Sequence, residues 1–282
     1  MCRLVGWTSD RPVSLADVLG ERALDRLVRL SSFHADGWGI AWRADDALHV
    51  RRSTRAARED AGFTAMALEV RATTAIVHLR WATPGFGLGL VNTHPFVVGD
   101  EAMAHNGAMG PREGLGALLT DDAPHRPGGT TDSEHFFHGV LGELPASGGD
   151  LVTAVERTSA RGADAGLRAA SLNAMFLRPD GLHVLNWHDP ANVPEAAVRS
   201  NADDPANPPY FDLRHRAGPG LDVVVSSGFV PDASSWDLLS PASITHFAAP
   251  GPAVVRPLRP ERALCTVARP GALSPAALGP GI

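Results

Sequence analysis

The chain has 282 residues, enough for one large domain or two ordinary ones, and its hydrophobic content of 44% with 20% charged residues describes a globular protein with a substantial core. A net charge of −6 argues against nucleic acid or an anionic membrane surface as partner. All 25 basic residues are arginine, which excludes a lysine Schiff base or a P-loop lysine, and two cysteines, Cys2 and Cys265, are too few for a disulfide framework or a clustered zinc site.

Met1-Cys2-Arg3-Leu4-Val5-Gly6-Trp7 opens the chain, and Cys2 to Thr8 reads as a short apolar strand. Ser14 is a candidate N-cap, with a helical period from Leu15 to about Leu30. Asp36-Gly37-Trp38 turns into a strand that pairs with Ala47 to Arg52, a helix covers Gly62 to Val70, and Thr74 to Trp81 is a buried strand. Gly85 to Leu90 is a glycine-rich loop lacking the spacing and following helix of a dinucleotide fingerprint. Glu101 to His105 reads as a strand ending in an Asn106-Gly107 turn. Asp132 to Leu144 and Leu151 to Ala160 follow as helices. Leu172 to Leu177 and Leu182 to Trp187 flank an Asp180-Gly181 turn as a hairpin, and Leu221 to Ser226 and Ser243 to Phe247 are further strands. Ala191 to Gly220 reads as a long loop, and the Pro/Gly-rich stretch from Pro250 as an extended strap ending in disorder. So many hairpins imply largely antiparallel sheets. No signal peptide or membrane span is visible, so a reducing cytoplasmic compartment is expected.

Four segments carry chemistry. Methionine before a small residue is commonly removed, which would leave Cys2 with a thiol and a free α-amine on one residue; the amine, pKa roughly 8, can take the thiol proton and supply the thiolate nucleophile. In His78-Leu79-Arg80-Trp81-Ala82-Thr83, an arginine at the end of a buried strand reads either as half of a structural ion pair or as a fork for a substrate carboxylate. Asn92-Thr93-His94-Pro95-Phe96 leads to His105-Asn106-Gly107, where a side-chain amide beside a backbone N–H offers the two donors an oxyanion needs. In Thr130-Thr131-Asp132-Ser133-Glu134, acids sit at a helix start, where they serve as a cap or as a site for an ammonium group.

Cys2, H-x-R-W-A-T, N-T-H-P-F, H-N-G and T-D-S-E, in that order, resemble the class II glutamine amidotransferase domain of the N-terminal-nucleophile hydrolases. Met-Cys-Arg and Ala35-Asp36-Gly37-Trp38-Gly39 are similar to its stand-alone branch, which includes γ-glutamyl hydrolases of ergothioneine biosynthesis and glutathione degradation. The resemblance implies an α+β fold, a four-layer αββα sandwich of two packed antiparallel sheets, over residues 2–249, with 250–282 as a tail. It implies Cys2 as nucleophile, Asn106 and Gly107 as oxyanion hole, Arg80 and Asp132 on the α-carboxylate and α-ammonium of a glutamyl substrate, and Trp81, Thr83 and His94 beside the pocket. No metal or organic cofactor is implied. Ammonia or an amine is either released or passed to a partner enzyme. The alternative is a catalytically silent glutamyl-binding or scaffold subunit on the same fold.

Overall fold

A computed structural model describes residues 2–83, 85–121, 126–189, 193, 210–248, 251–259 and 264–265. Two antiparallel sheets stack face to face between helices. The first has seven strands: β1 (Arg3–Val13), β2 (Trp38–Ala44), β3 (Ala47–Ser53), β4 (Ala72–Leu79), β9 (Leu213–Gly218), β10 (Leu221–Ser226) and β11 (Asp237–Leu238), in spatial order β11-β9-β10-β1-β4-β2-β3. The second has six: β5 (Phe96–Val98), β6 (Glu101–Gly110), β7 (Arg168–Arg178), β8 (Gly181–Asn186), β12 (Ser243–Phe247) and β13 (Val254–Pro257), in the order β13-β12-β8-β7-β6-β5. Helices α1 (Leu15–Leu19), α2 (Glu21–Leu30) and α3 (Ala61–Glu69) cover the first sheet; α4 (Asp132–Glu143) and α5 (Leu151–Asp164) cover the second.

The period of two along each strand divides the core into three layers. On β1, Val5 and Trp7 face the helices beside Leu15, Leu27 and Phe63, while Leu4 faces the other sheet. On β6 and β7, Met103 and Phe176 meet α4 through Phe136 and Phe137, whereas Ala102, Ala104, Met175 and Leu177 turn inward to Leu4 and Ile76. The αββα arrangement follows from this alternation, and a slip of one residue would invert each strand's faces.

Three readings change. The helix beginning at Ser14 breaks at Gly20 into α1 and α2, although Ser14 caps as expected, accepting from Asp17 N while the Asp17 carboxylate accepts from Ser14 N. Asn106-Gly107 is no turn: β6 runs through it in register with Asn173 and Leu172. A Cβ on residue 107 would lie 1.9 Å from the Ser171 carbonyl oxygen, so glycine serves here for close approach between backbones. Within the expected loop Ala191–Gly220, Leu213–Gly218 is β9, hairpin-paired with β10; its Arg214, His215 and Arg216 mask the alternation. The reading of 190–192 and 194–209 as loop, and of the last residues as disordered, lies outside the described residues. Beyond Pro250, Val254–Pro257 extends the second sheet, and Leu258, Leu264 and Cys265 are buried against α5 and β7. Among the described residues no helix is long and apolar enough to cross a membrane.

Candidate active site

The inner faces of the two sheets meet at one end around Cys2. Cys2 shares the parity of Leu4 on the first sheet, and Asn106 that of Ala102 and Ala104 on the second, so alternation alone turns both side chains into the seam. The Cys2 backbone N–H donates to Asn106 Oδ1 at 2.9 Å. The Asn106 Nδ2 amide is buried and has no partner among the described residues. The Trp81 N–H points at Cys2 Sγ from 3.5 Å, and the Tyr210 hydroxyl donates to the Cys2 carbonyl at 3.2 Å. Burial pushes the Cys2 thiol pKa up, against the pull of the amino terminus, the Trp81 N–H and the Arg80 guanidinium. A thiolate here therefore needs a base beside it.

The pocket over Cys2 is lined by Arg80, Trp81, Thr83, Phe86, Asn92, His94, His105, Gly107, Asp132 and Ser133 among others. All eight sequence-identified residues thus converge: seven line the pocket with Cys2 among them, and Asn106 stands beneath it, bonded to Cys2.

Arg80 leaves the end of β4 with its own N–H bonded to the Gly37 carbonyl. Its Nη2 donates to the Gly87 carbonyl at 2.8 Å, whereas its buried Nη1 has no partner among the described residues. No carboxylate lies within ion-pair distance of it among the described residues, which removes the structural ion pair as its explanation. Asp132, the first residue of α4, accepts from Met109 N at 2.7 Å and Ser133 N at 2.8 Å, and so presents a supported anion to the pocket. His94 stacks on His78 at 4.2 Å between ring centres and meets the edge of Phe96; both its ring nitrogens are buried without partners among the described residues. Burial, with the charges of His78, His105, Arg80 and Arg52, holds its pKa far below that of a free imidazole. Burial likewise brings His78 down to about 3. His94 is thus a neutral pocket wall at physiological pH.

Sequence reasoning assigned no role to four supporting residues. Asn92 joins two loops, donating to the Gly87 carbonyl and accepting from Thr130 N. Glu134 accepts from Gly128 N and Gly129 N, holding the approach to α4. His105 Nε2 faces the Ser171 carbonyl at 3.0 Å and so carries the proton, leaving Nδ1 to accept from the Ser133 hydroxyl at 2.8 Å. Tyr210 stacks beneath the buried Arg3 guanidinium, 4.2 Å from its ring centre. Asn92, His105 and Glu134 stood inside the quoted motifs; nothing in the local sequence marks Tyr210.

Two stacked antiparallel sheets within αββα layers, with Cys2 at a strand end facing the second sheet, form the N-terminal-nucleophile hydrolase fold. Residues 1–186 match the family described as glutamine amidotransferases class-II, and the chain belongs to that family. It is 33% identical over 160 residues to a glutamine–fructose-6-phosphate aminotransferase (isomerizing) of Aliivibrio fischeri, a match spanning 56% of this chain and 25% of that protein. The chain therefore covers about a quarter of such relatives. Among solved structures, a glutamine aminotransferase class-II domain protein from Silicibacter pomeroyi superposes over 92% of this chain and 100% of its own, with TM-score 0.61 at 21% identity. The glutamine phosphoribosylpyrophosphate amidotransferase of B. subtilis covers 91% of this chain over 49% of its own, with TM-score 0.55 at 16% identity. These two likenesses speak to the fold.

Proposed function

We propose that the chain hydrolyses the γ-amide of glutamine or of a γ-glutamyl amide through a glutamyl thioester on Cys2. The observation that carries this reading is Asn106, whose Oδ1 holds the Cys2 nitrogen while its buried Nδ2 awaits an acceptor. After removal of Met1, that nitrogen is an α-amine. It takes the thiol proton, directly or through water, and the Cys2 thiolate attacks the γ-carbonyl carbon. Asn106 Nδ2 and the Gly107 N–H hold the resulting oxyanion. The protonated α-amine passes its proton to the leaving nitrogen as the C–N bond breaks, and water then cleaves the thioester to release glutamate.

Arg80 Nη1 supplies the fork for the α-carboxylate and Asp132 the counter-charge for the α-ammonium, with Trp81, Thr83 and His94 as walls. A plain amide would leave Arg80 and Asp132 unmatched, so the site should select for a glutamyl group. None of these steps calls on a cofactor. The relatives named as aminotransferases suggest that the ammonia passes to an acceptor enzyme; release to water is the simpler outcome. A reducing cytoplasm suits both free cysteines.

The second reading, a silent glutamyl-binding subunit, is favoured by the burial that raises the Cys2 thiol pKa. An L-glutamine-derived diazoketone separates the two. Intact mass should show loss of Met1 and one adduct at Cys2, with glutamate release falling at least ~10³-fold in Cys2→Ala. A protein lacking Met1 that binds glutamine yet is neither labelled nor active would establish the silent subunit instead.

A further inference from the structure

A group of ligand-type side chains lies outside the pocket, where β7, β8 and β12 come together. His183 on β8 and His246 on β12 are directly opposed in the sheet, and their imidazoles stack 4.0 Å apart and nearly parallel. Both rings turn Nε2 toward the β7–β8 turn: His183 Nε2 is 2.9 Å from Asp180 Oδ1, and His246 Nε2 is 3.0 Å from the Asp180 carbonyl oxygen. One ligand atom from each of Asp180, His183 and His246 lies within 4.8 Å of the other two.

The turn is shaped for this approach. Gly181 has φ of 135°, and a Cβ there would stand 2.4 Å from the Phe247 carbonyl oxygen and 3.2 Å from His246 Nε2. Glycine is therefore what lets the turn close down on the histidine pair.

We infer that Asp180, His183 and His246 form a binding site for a first-row divalent cation of the zinc type. Two imidazoles and one carboxylate, with water in the open position, are a donor set such ions accept. Each ring now donates from Nε2. On binding, each ring takes the Nδ1–H tautomer, and the rings splay to aim their Nε2 lone pairs at one ion. Arg178, whose Nε faces Asp180 Oδ1 at 4.0 Å, is paired with Glu101 at 3.3 Å, which offsets its repulsion of a cation. The ion would tie the hairpin turn to β12. The site is independent of the proposed amide hydrolysis.

The test uses the full chain as Cys2→Ala, so that the thiol beside the pocket takes no metal, stripped with chelator and titrated with Zn²⁺ by calorimetry and Co²⁺ by visible absorption. One saturable equivalent is expected, with d–d bands of a nitrogen/oxygen site, weakened at least ~10-fold in His183→Ala or His246→Ala. Asp180→Asn, which keeps the size and a carbonyl acceptor for His183, should weaken it in the same way with an unchanged circular dichroism spectrum. No saturable binding, or binding unaltered in His183→Ala/His246→Ala, would overturn the assignment and leave a hydrogen-bonded His–Asp pair.

Discussion

On the α4 side of the pocket, both oxygens of the Asp132 carboxylate accept backbone N–H groups, and His105 is bonded at both ring nitrogens. On the side built from β4, β6 and the His94 loop, Arg80 Nη1, Asn106 Nδ2 and both nitrogens of His94 are buried with no partner among the described residues. An unsatisfied buried polar group costs ~1–3 kcal/mol, so partners brought by a ligand count for more on the second wall than on the first. The difference teaches where charge arrives. Asp132 is a finished anion and suits a cation brought by the ligand. Arg80 and Asn106 are donors in waiting, and suit a carboxylate and an oxyanion. One ligand with an α-ammonium, an α-carboxylate and a γ-carbonyl answers all three.

Acid should undo the second wall first. His78 behind His94 titrates near 6.5 when unfolded and, desolvated by burial, at about 3 when folded. The unfolded chain thus takes the proton first, and stability present above pH 6.5 is lost as pH falls toward about 3, at up to ~1.4 kcal/mol per unit. Urea midpoints measured between pH 7 and pH 4 should show this slope, and His78→Gln should flatten it. An identical slope in the variant would place the acid sensitivity in the other buried imidazoles, His94 and His34.

The next largest effect concerns a waiting donor. Asn106→Ala removes Nδ2 together with the acceptor that holds the Cys2 nitrogen, and kcat for glutamate release should fall ~10²–10³-fold. Asn106→Asp keeps an Oδ1 acceptor and loses the donor. If the two variants are equally impaired, the loss belongs to the oxyanion; if the aspartate variant keeps most of its activity, positioning of the amine matters more.

The finished wall should respond differently. Asp132→Asn preserves shape but removes the charge offered to the α-ammonium, a charge-assisted contact of ~1.5–3 kcal/mol. KM for L-glutamine should rise ~10–100-fold while kcat moves little, and D-glutamine should gain relative to L. A fall in kcat with unchanged KM would show instead that Asp132 acts on the chemical step and that the two walls do not divide the work in this way.

How much of this was legible follows from range. Motifs that are contiguous in sequence, such as Arg80-Trp81 at a strand end and Asp132 at a helix start, carry their local geometry with them and were readable. So were the hairpin at Asp180-Gly181 and the capped start at Ser14. Asn106-Gly107 misled because the pair is a strong turn signal, and only the Ser171 backbone across the sheet explains its glycine. β9 was missed because its Arg214, His215 and Arg216 lie near an edge covered by the short β11, where polar residues are tolerated. Tyr210 was invisible for the same physical reason: its contact with Cys2 spans 208 positions and leaves no local trace.

Tyr210 also supplies the smallest and most discriminating test. Its hydroxyl reaches the Cys2 carbonyl, and burial raises its pKa, so it remains a neutral donor at working pH. Tyr210→Phe keeps the ring under Arg3 and deletes the hydroxyl that donates to the Cys2 carbonyl and also bonds the Arg3 guanidinium, the first bond alone being a net ~0.5–1.5 kcal/mol. If that bond fixes the nucleophile's backbone, kcat and the rate of diazoketone labelling should fall together ~5-fold with KM unchanged, since the α-substituent contacts are untouched. If it only adds stability, the melting temperature alone should drop by ~2–4 °C. The first outcome would extend the functional seam past the pocket to β9's approach, making the wall that holds Cys2 a device assembled from segments 208 positions apart.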